Sequence, residues 1–251
     1  MIIDNKKKEN PLISILFNIL IPVVILKNGD GWIGGYLDYD VSNSSNHQVG
    51  MFSIPSIVFL AALFCPIIYF LYDLLKRKNI NLISILGFVN VLLTGGIGIF
   101  GAQMGLSKNW FIIKEGSLPL VIGLLFIMMS KFKRESFNAI LLNEQLFDTH
   151  KINTAVPDHL HHEFESILQK AGHHLTAGFF ISSIIQFILA SFIVVSNPGD
   201  SSFNEQVSTM TWVSYIAVMV PTLLIVGRGF MKLLTDLERI TSLNRDDFIR
   251  S

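Results

Sequence analysis

Long apolar runs, each the length of a whole helix rather than of a buried strand, dominate the chain. A helix needs about 20 apolar residues to cross the hydrocarbon core of a bilayer. Six stretches reach or approach that length: Leu12–Leu26, Met51–Leu75, Leu82–Phe100, Phe111–Met129, Leu175–Val195 and Trp212–Leu234. The pattern predicts an all-α polytopic membrane protein, a single membrane domain over residues 1–251 with six transmembrane helices. Pro55 and Pro66 in the second run and Pro221 in the sixth are compatible with helices, because neighbouring groups in a membrane bundle satisfy the freed carbonyls. The first run is the shortest, fifteen residues ending before Lys27, and Lys6, Lys7 and Lys8 ahead of it match the charged flank of a signal peptide. No small-x-small cleavage site follows, so a retained helix is expected. Trp32–Leu37 would then lie at the outer interface, where Trp and Tyr are favoured.

The basic residues between the runs orient them. On one side fall Lys6, Lys7, Lys8, Lys76, Arg77, Lys78, Lys131, Lys133, Arg134, Lys151, Lys170, Arg228, Lys232, Arg239, Arg245 and Arg250, sixteen in all. The other side holds three, Lys27, Lys108 and Lys114, and the loop Ser196–Thr211 has none. Cytoplasmic loops carry the excess of Lys and Arg. Both termini are therefore expected in the cytoplasm, and the alternation holds at every loop. Three spans followed by three of opposite direction would suit an inverted repeat. The only recurrence is Asn143-Glu144-Gln145 with Asn204-Glu205-Gln206, too short to establish one.

Composition supports the bilayer as solvent. Hydrophobic residues make up 51% and charged residues 15%, against roughly 25% charge in a typical soluble domain. The formal net charge is zero, so no basic field points to nucleic acid. Cys65 is the single cysteine, which excludes an intrachain disulfide.

The longest polar stretch, residues 130–174, is expected in the cytoplasm. Within Asp158–Leu175, the residues Leu160, Phe164, Ile167, Leu168, Ala171 and Leu175 fall on one face of an amphipathic helix that leads into the fifth span. Six of the seven histidines lie here: His150, His159, His161, His162, His173 and His174. His159, His162 and Glu163 have spacings that share a helical face, which is the metal-binding reading. The favoured reading is a solvated polar face, since no His-Glu-x-x-His pattern is present. No metal or cofactor is expected.

Polar residues inside the spans are the candidates for function. Asp73 and Arg77 have the i,i+4 spacing of a helix ion pair. Asn90 precedes the glycine run Gly95, Gly96 and Gly98, which reads as close helix packing or as a substrate-facing bend. Gly178, Ser182, Gln186 and Ala190, four apart, form a small polar stripe for a helix–helix contact or a polar pathway. Lys114 and Glu115 open the fourth span, either snorkelling outward or paired for use, and Asn204 with Glu205 would complete a site with them. Asn90, Lys114, Glu115, Gln186, Asn204 and Glu205 are thus the candidate polar cluster. Gly95, Gly96, Gly98, Gly178 and Ser182 are the packing positions. Phosphate-cradling glycine loops, Gly-x-Ser-x-Gly and cysteine metal patterns are missing, so no enzyme is indicated and no catalytic residue is named.

Several segments together are similar to those of a known family: Tyr72-Asp73-Leu74 with Lys76-Arg77-Lys78, Leu92-Leu93-Thr94-Gly95-Gly96-Ile97-Gly98, Trp110 to Pro119, Leu141-Leu142-Asn143, and Phe203-Asn204-Glu205 leading to Met210-Thr211. The chain resembles bacterial six-span inner-membrane proteins related to intracellular septation protein A, over roughly residues 10–235. The His-rich segment after Asn143 and the polar loop Asp38–Gly50 have no counterpart in that resemblance. It implies a multi-pass cell inner membrane protein tied to envelope synthesis or division. The leading expectation is a non-enzymatic protein that acts through protein or lipid partners or as a homo-oligomer, and its charge points to no nucleic acid. The alternative is a small-solute or lipid transporter.

Overall fold

The computed structural model of the chain describes residues 16–36, 48–49, 52–77, 82–144 and 146–250. They fold almost entirely as helices. A π-helical turn, Leu16–Leu20, leads into α1 (Ile21–Tyr36). A two-residue antiparallel pair, β1 (Gln48–Val49) with β2 (Phe52–Ser53), precedes α2 (Ile54–Arg77). Then follow α3 (Leu82–Met104), α4 (Asn109–Phe132), α5 (Arg134–Leu141), α6 (Thr149–Ala155), a 3-10 turn at Asp158–Leu160, α7 (His161–Ile193), α8 (Ser201–Thr241) and α9 (Arg245–Phe248).

Among the described residues, four helical stretches are long and apolar enough to cross a membrane: Ile54–Tyr72, Asn109–Phe132, Asp158–Ile193 and Ser202–Thr241. Their outward side chains are apolar, as at Phe64, Ile68, Leu124, Met128, Ile188, Phe192, Ile216 and Leu224, all exposed. Water would not tolerate such continuous apolar surface, whereas lipid does. The chain is therefore a helical membrane protein whose apolar helices contact the bilayer.

The helices differ in extent from the apolar runs. The start of the first run, Leu12 to residue 15, lies outside the described residues. Helix α1 continues ten residues past Leu26, through Lys27 and Asp30 to Tyr36. The absent side chain of Gly29 lets α1 close on Val58 of α2 within this polar half. Helix α3 covers the third run, with Val89–Met104 as its described apolar part. The segment expected as an outer loop up to Thr211 is helical from Ser201. A tight turn explains the early start. Gly199 takes a φ of +97°, the Asp200 carboxylate accepts from Asn197 N at 2.8 Å, and Phe203 N donates to Asp200 O at 3.0 Å. At 1.5 Å per residue, α8 is about 60 Å long, twice the thickness of the hydrocarbon core. Most of the residues expected as amphipathic helix and as fifth span form one unbroken helix, α7, of 33 residues, preceded by the 3-10 turn at Asp158–Leu160.

Two compact units make up the chain: residues 1–115 with 187–215, and residues 116–186 with 216–251. The first is centred on Phe59, Phe111 and Phe203. Phe203 stacks on Phe59 at 6.1 Å and meets Phe111 edge-on at 5.6 Å. The second buries Phe147, Ile152, Phe164, Ile167, Leu168, Leu237 and Phe248. Its last residues close it like a strap. Asp148 N donates to Phe248 O, Arg250 N donates to Leu146 O, both at 2.8 Å, and Phe248 stacks on Phe147.

Candidate functional site

The most concentrated buried polar chemistry lies between α3 and α4 in the first unit. Helix α3 contributes Asn90 and Thr94, one turn apart, and α4 contributes Lys114 and Glu115. Only 7% of Lys114 is exposed. A lone ammonium at that depth would be costly, so its partners decide whether the fold tolerates it. Nζ donates to Thr94 Oγ1 at 2.6 Å and to Glu115 Oε1. It also sits 5.0 Å from the centroid of the Phe111 ring, one turn back on the same face, within cation–π range. Thr94 in turn donates to the Asn90 carbonyl at 2.8 Å. Lys114, Thr94 and the Asn90 backbone thus form a short chain of hydrogen bonds, with Glu115 supplying the countercharge. The Asn90 side-chain Oδ1 is buried and accepts no hydrogen bond among the described residues.

The glycines of α3 serve a different contact, with α2. A Cβ at Gly95 would overlap Leu63 of α2, and one at Gly98 would lie 2.6 Å from Phe59 Cε1. Gly96 faces open space. Two of the three glycines are therefore contact positions for α2.

The other sequence candidates lie elsewhere. Asn204 is 1% exposed and donates to the Pro55 carbonyl at 2.9 Å, tying α8 to the first turn of α2. Glu205, the next residue, is exposed. Gln186 belongs to the second unit, where its buried Oε1 has no hydrogen-bond partner among the described residues. Gly178 seats α7 against Val226 of α8, and Ser182 shares a 2.8 Å hydrogen bond with Thr222. The side chains of Asp73 and Arg77 lie outside the described ones. His159, His161, His162 and His173 are exposed, and the His174 ring bonds the Lys170 carbonyl. Among the described residues, no group of three or more His, Cys, Asp or Glu is arranged to hold a metal ion.

Three polar contributors escaped the sequence reading. Ser183 donates to the Gly116 carbonyl at 2.7 Å, and Ser208 to the Val23 carbonyl at 3.2 Å. Asp30, within the extended part of α1, keeps Oδ1 buried. Ser183 in an apolar run and Ser208 in the expected outer loop carry little pattern of their own. Asp30 followed a run that ended at Lys27, so only the extension of α1 brings it inside.

No family model matches the chain, and neither the curated proteins nor the solved structures include a significant match to it.

Proposed function

We propose that the chain is a six-span protein of the bacterial inner membrane with both termini in the cytoplasm. In this reading it supports envelope synthesis or division through protein or lipid partners and catalyses no reaction of its own. The observation that carries the reading is how the intramembrane polar groups are used. Lys114 is bonded to Thr94 and Glu115, Asn204 to Pro55, and Ser182 to Thr222. Such groups join helices and stiffen a scaffold. Charge asymmetry, sixteen basic residues against three, supports the orientation. The similarity to septation protein A relatives supports the envelope assignment.

Reporter fusions test the topology. Ser45 and Ser201 should report from outside and Asn79 and Asn153 from inside; Asn79 reporting from outside would sink the six-span reading. For the role, deletion followed by profiling of lipids and cell-wall precursors should show an envelope defect. Lys114→Ala and Glu115→Ala should fail to rescue it, while an unaltered profile on deletion removes the envelope assignment.

A second reading, a small-solute or lipid carrier, is favoured by the buried oxygens of Asn90 and Gln186, which have no hydrogen-bond partner among the described residues. Groups like these are satisfied by a passing ligand or water. Solute uptake into vesicles that Asn90→Leu or Gln186→Leu abolishes would select this reading over the scaffold.

A further inference from the structure

We propose that a polar cleft between α5 and α7 holds the zwitterionic phosphate–amine headgroup of a membrane phospholipid, with the phosphate on Arg134 and the ammonium on Glu165. The cleft, about 170 Å³, is lined by Ser130, Arg134, Asn138, His162, Glu165 and Ser166, with Phe137 and Gln169. That is the liquid volume of roughly five or six waters, room for one small polar group.

Its shape follows from the two helices. Arg134, Phe137 and Asn138 share one face of α5; His162, Glu165, Ser166 and Gln169 share one face of α7. Phe137 is buried in the notch left by Gly172, where a Cβ would overlap its ring, and packs edge-on against Phe126 at 6.1 Å. This pins the helices together at one end. At the other, the contact is a loose Arg134–Glu165 pair at 3.5 Å, with both side chains more than half exposed. An exposed pair of that length contributes little to stability, so the two charges are open to a ligand of matching polarity. Guanidinium suits phosphate through paired N–H donors, and a carboxylate accepts from a primary ammonium. The surrounding hydroxyls, amides and imidazole satisfy the remaining oxygens.

The position also fits a headgroup, a point that rests on the six-span reading. Ser130 directly follows the apolar run ending at Met129, and Arg134 lies five residues past Met129, so the phosphate end of the cleft adjoins the end of the fourth run. The headgroup layer is about 5–8 Å deep on each side of the hydrocarbon core. Lys131 and Lys133 flank the cleft and strengthen attraction to phosphate.

The test uses the full chain in nanodiscs of phosphatidylcholine containing a minor fraction of phosphatidylethanolamine or phosphatidylglycerol. Native mass spectrometry then reads the lipids retained. The wild type should keep phosphatidylethanolamine in preference to both others. Arg134→Gln should lower its retention about tenfold, the scale of one charge-assisted contact. Glu165→Gln should remove the preference over phosphatidylcholine, whose quaternary amine has no N–H to donate. Displacement of the bound lipid by soluble O-phosphoethanolamine would support the headgroup as the recognised part; binding of that compound without lipid retention would overturn the lipid as its source. Equal retention by the wild type and both variants overturns the proposal. Failure to insert into the nanodiscs breaks the membrane reading instead, whereas insertion without selectivity breaks this inference alone.

Discussion

Two ion pairs show how differently the two units treat charge. Lys114–Glu115 in the first unit is almost enclosed, with side chains 6% and 17% exposed. Arg239–Glu163 in the second is as close as 2.6 Å, yet both side chains are open to solvent, at 57% and 41%. Distance alone would rate them alike. Burial separates them. The enclosed ammonium has exchanged water for Thr94, Glu115 and the Phe111 face, so losing one partner strands a charge. The open pair exchanges one solvated state for another. The enclosed pair, both partners on α4 with Lys114 also bonded across to Thr94 of α3, is thus a structural commitment, whereas the solvated pair between α7 and α8 adds little to the hydrophobic core beneath it.

The strongest way to break this comparison is Glu115→Ala. It leaves Lys114 buried without countercharge and should cost about 3–5 kcal/mol, read as a lowered unfolding temperature in detergent. Replacing both partners, Lys114→Met with Glu115→Leu, should restore most of that loss. If the double variant is no better than the single one, the pair is more than a buried structural contact.

Phe248→Ala tests the second unit, whose cohesion comes from apolar packing. Phe248 is fully buried against Phe147, and its truncation should cost about 3 kcal/mol or more. Limited proteolysis should then cut near residues 241–244 while the first unit stays protected. Protection unchanged from wild type would mean that the strap is dispensable. Smaller is Thr94→Val, which removes one acceptor from Lys114 and one donor from the Asn90 carbonyl while keeping the shape. A loss of about 1–3 kcal/mol is expected in the same unfolding assay. The smallest effect belongs to Arg239→Gln. It should leave the unfolding temperature close to wild type, and any shift should vanish at high salt. A large, salt-independent loss would place this pair beside Lys114–Glu115 and erase the contrast.

Much of this was legible in the chain because bilayer and water select against different residues. The apolar runs announced membrane helices, and four of the stretches long and apolar enough to span fall where runs two, four, five and six do. Lys114 and Glu115 stood out because charge is rare in such runs. Thr94 drew notice only beside its glycines, and its role as the bridge between α3 and α4 depends on how those helices face each other. Helix ends were less legible. Apolar runs mark where hydrocarbon is needed, while α8 starts at Ser201 because of the turn made by Asn197, Gly199 and Asp200.

By itself, then, the sequence determined the solvent, the helical class and the rarity of intramembrane charge, since each depends on local composition and hydrogen-bond economy in lipid. Tertiary structure alone decided which polar groups meet. Asn204 and Pro55 are 149 residues apart, and Thr94 and Lys114 are 20 apart on different helices. Nothing in their local runs encodes those partnerships. They arise when the apolar faces around Phe59, Phe111 and Phe203 bring the helices close enough for a buried donor to need a particular acceptor.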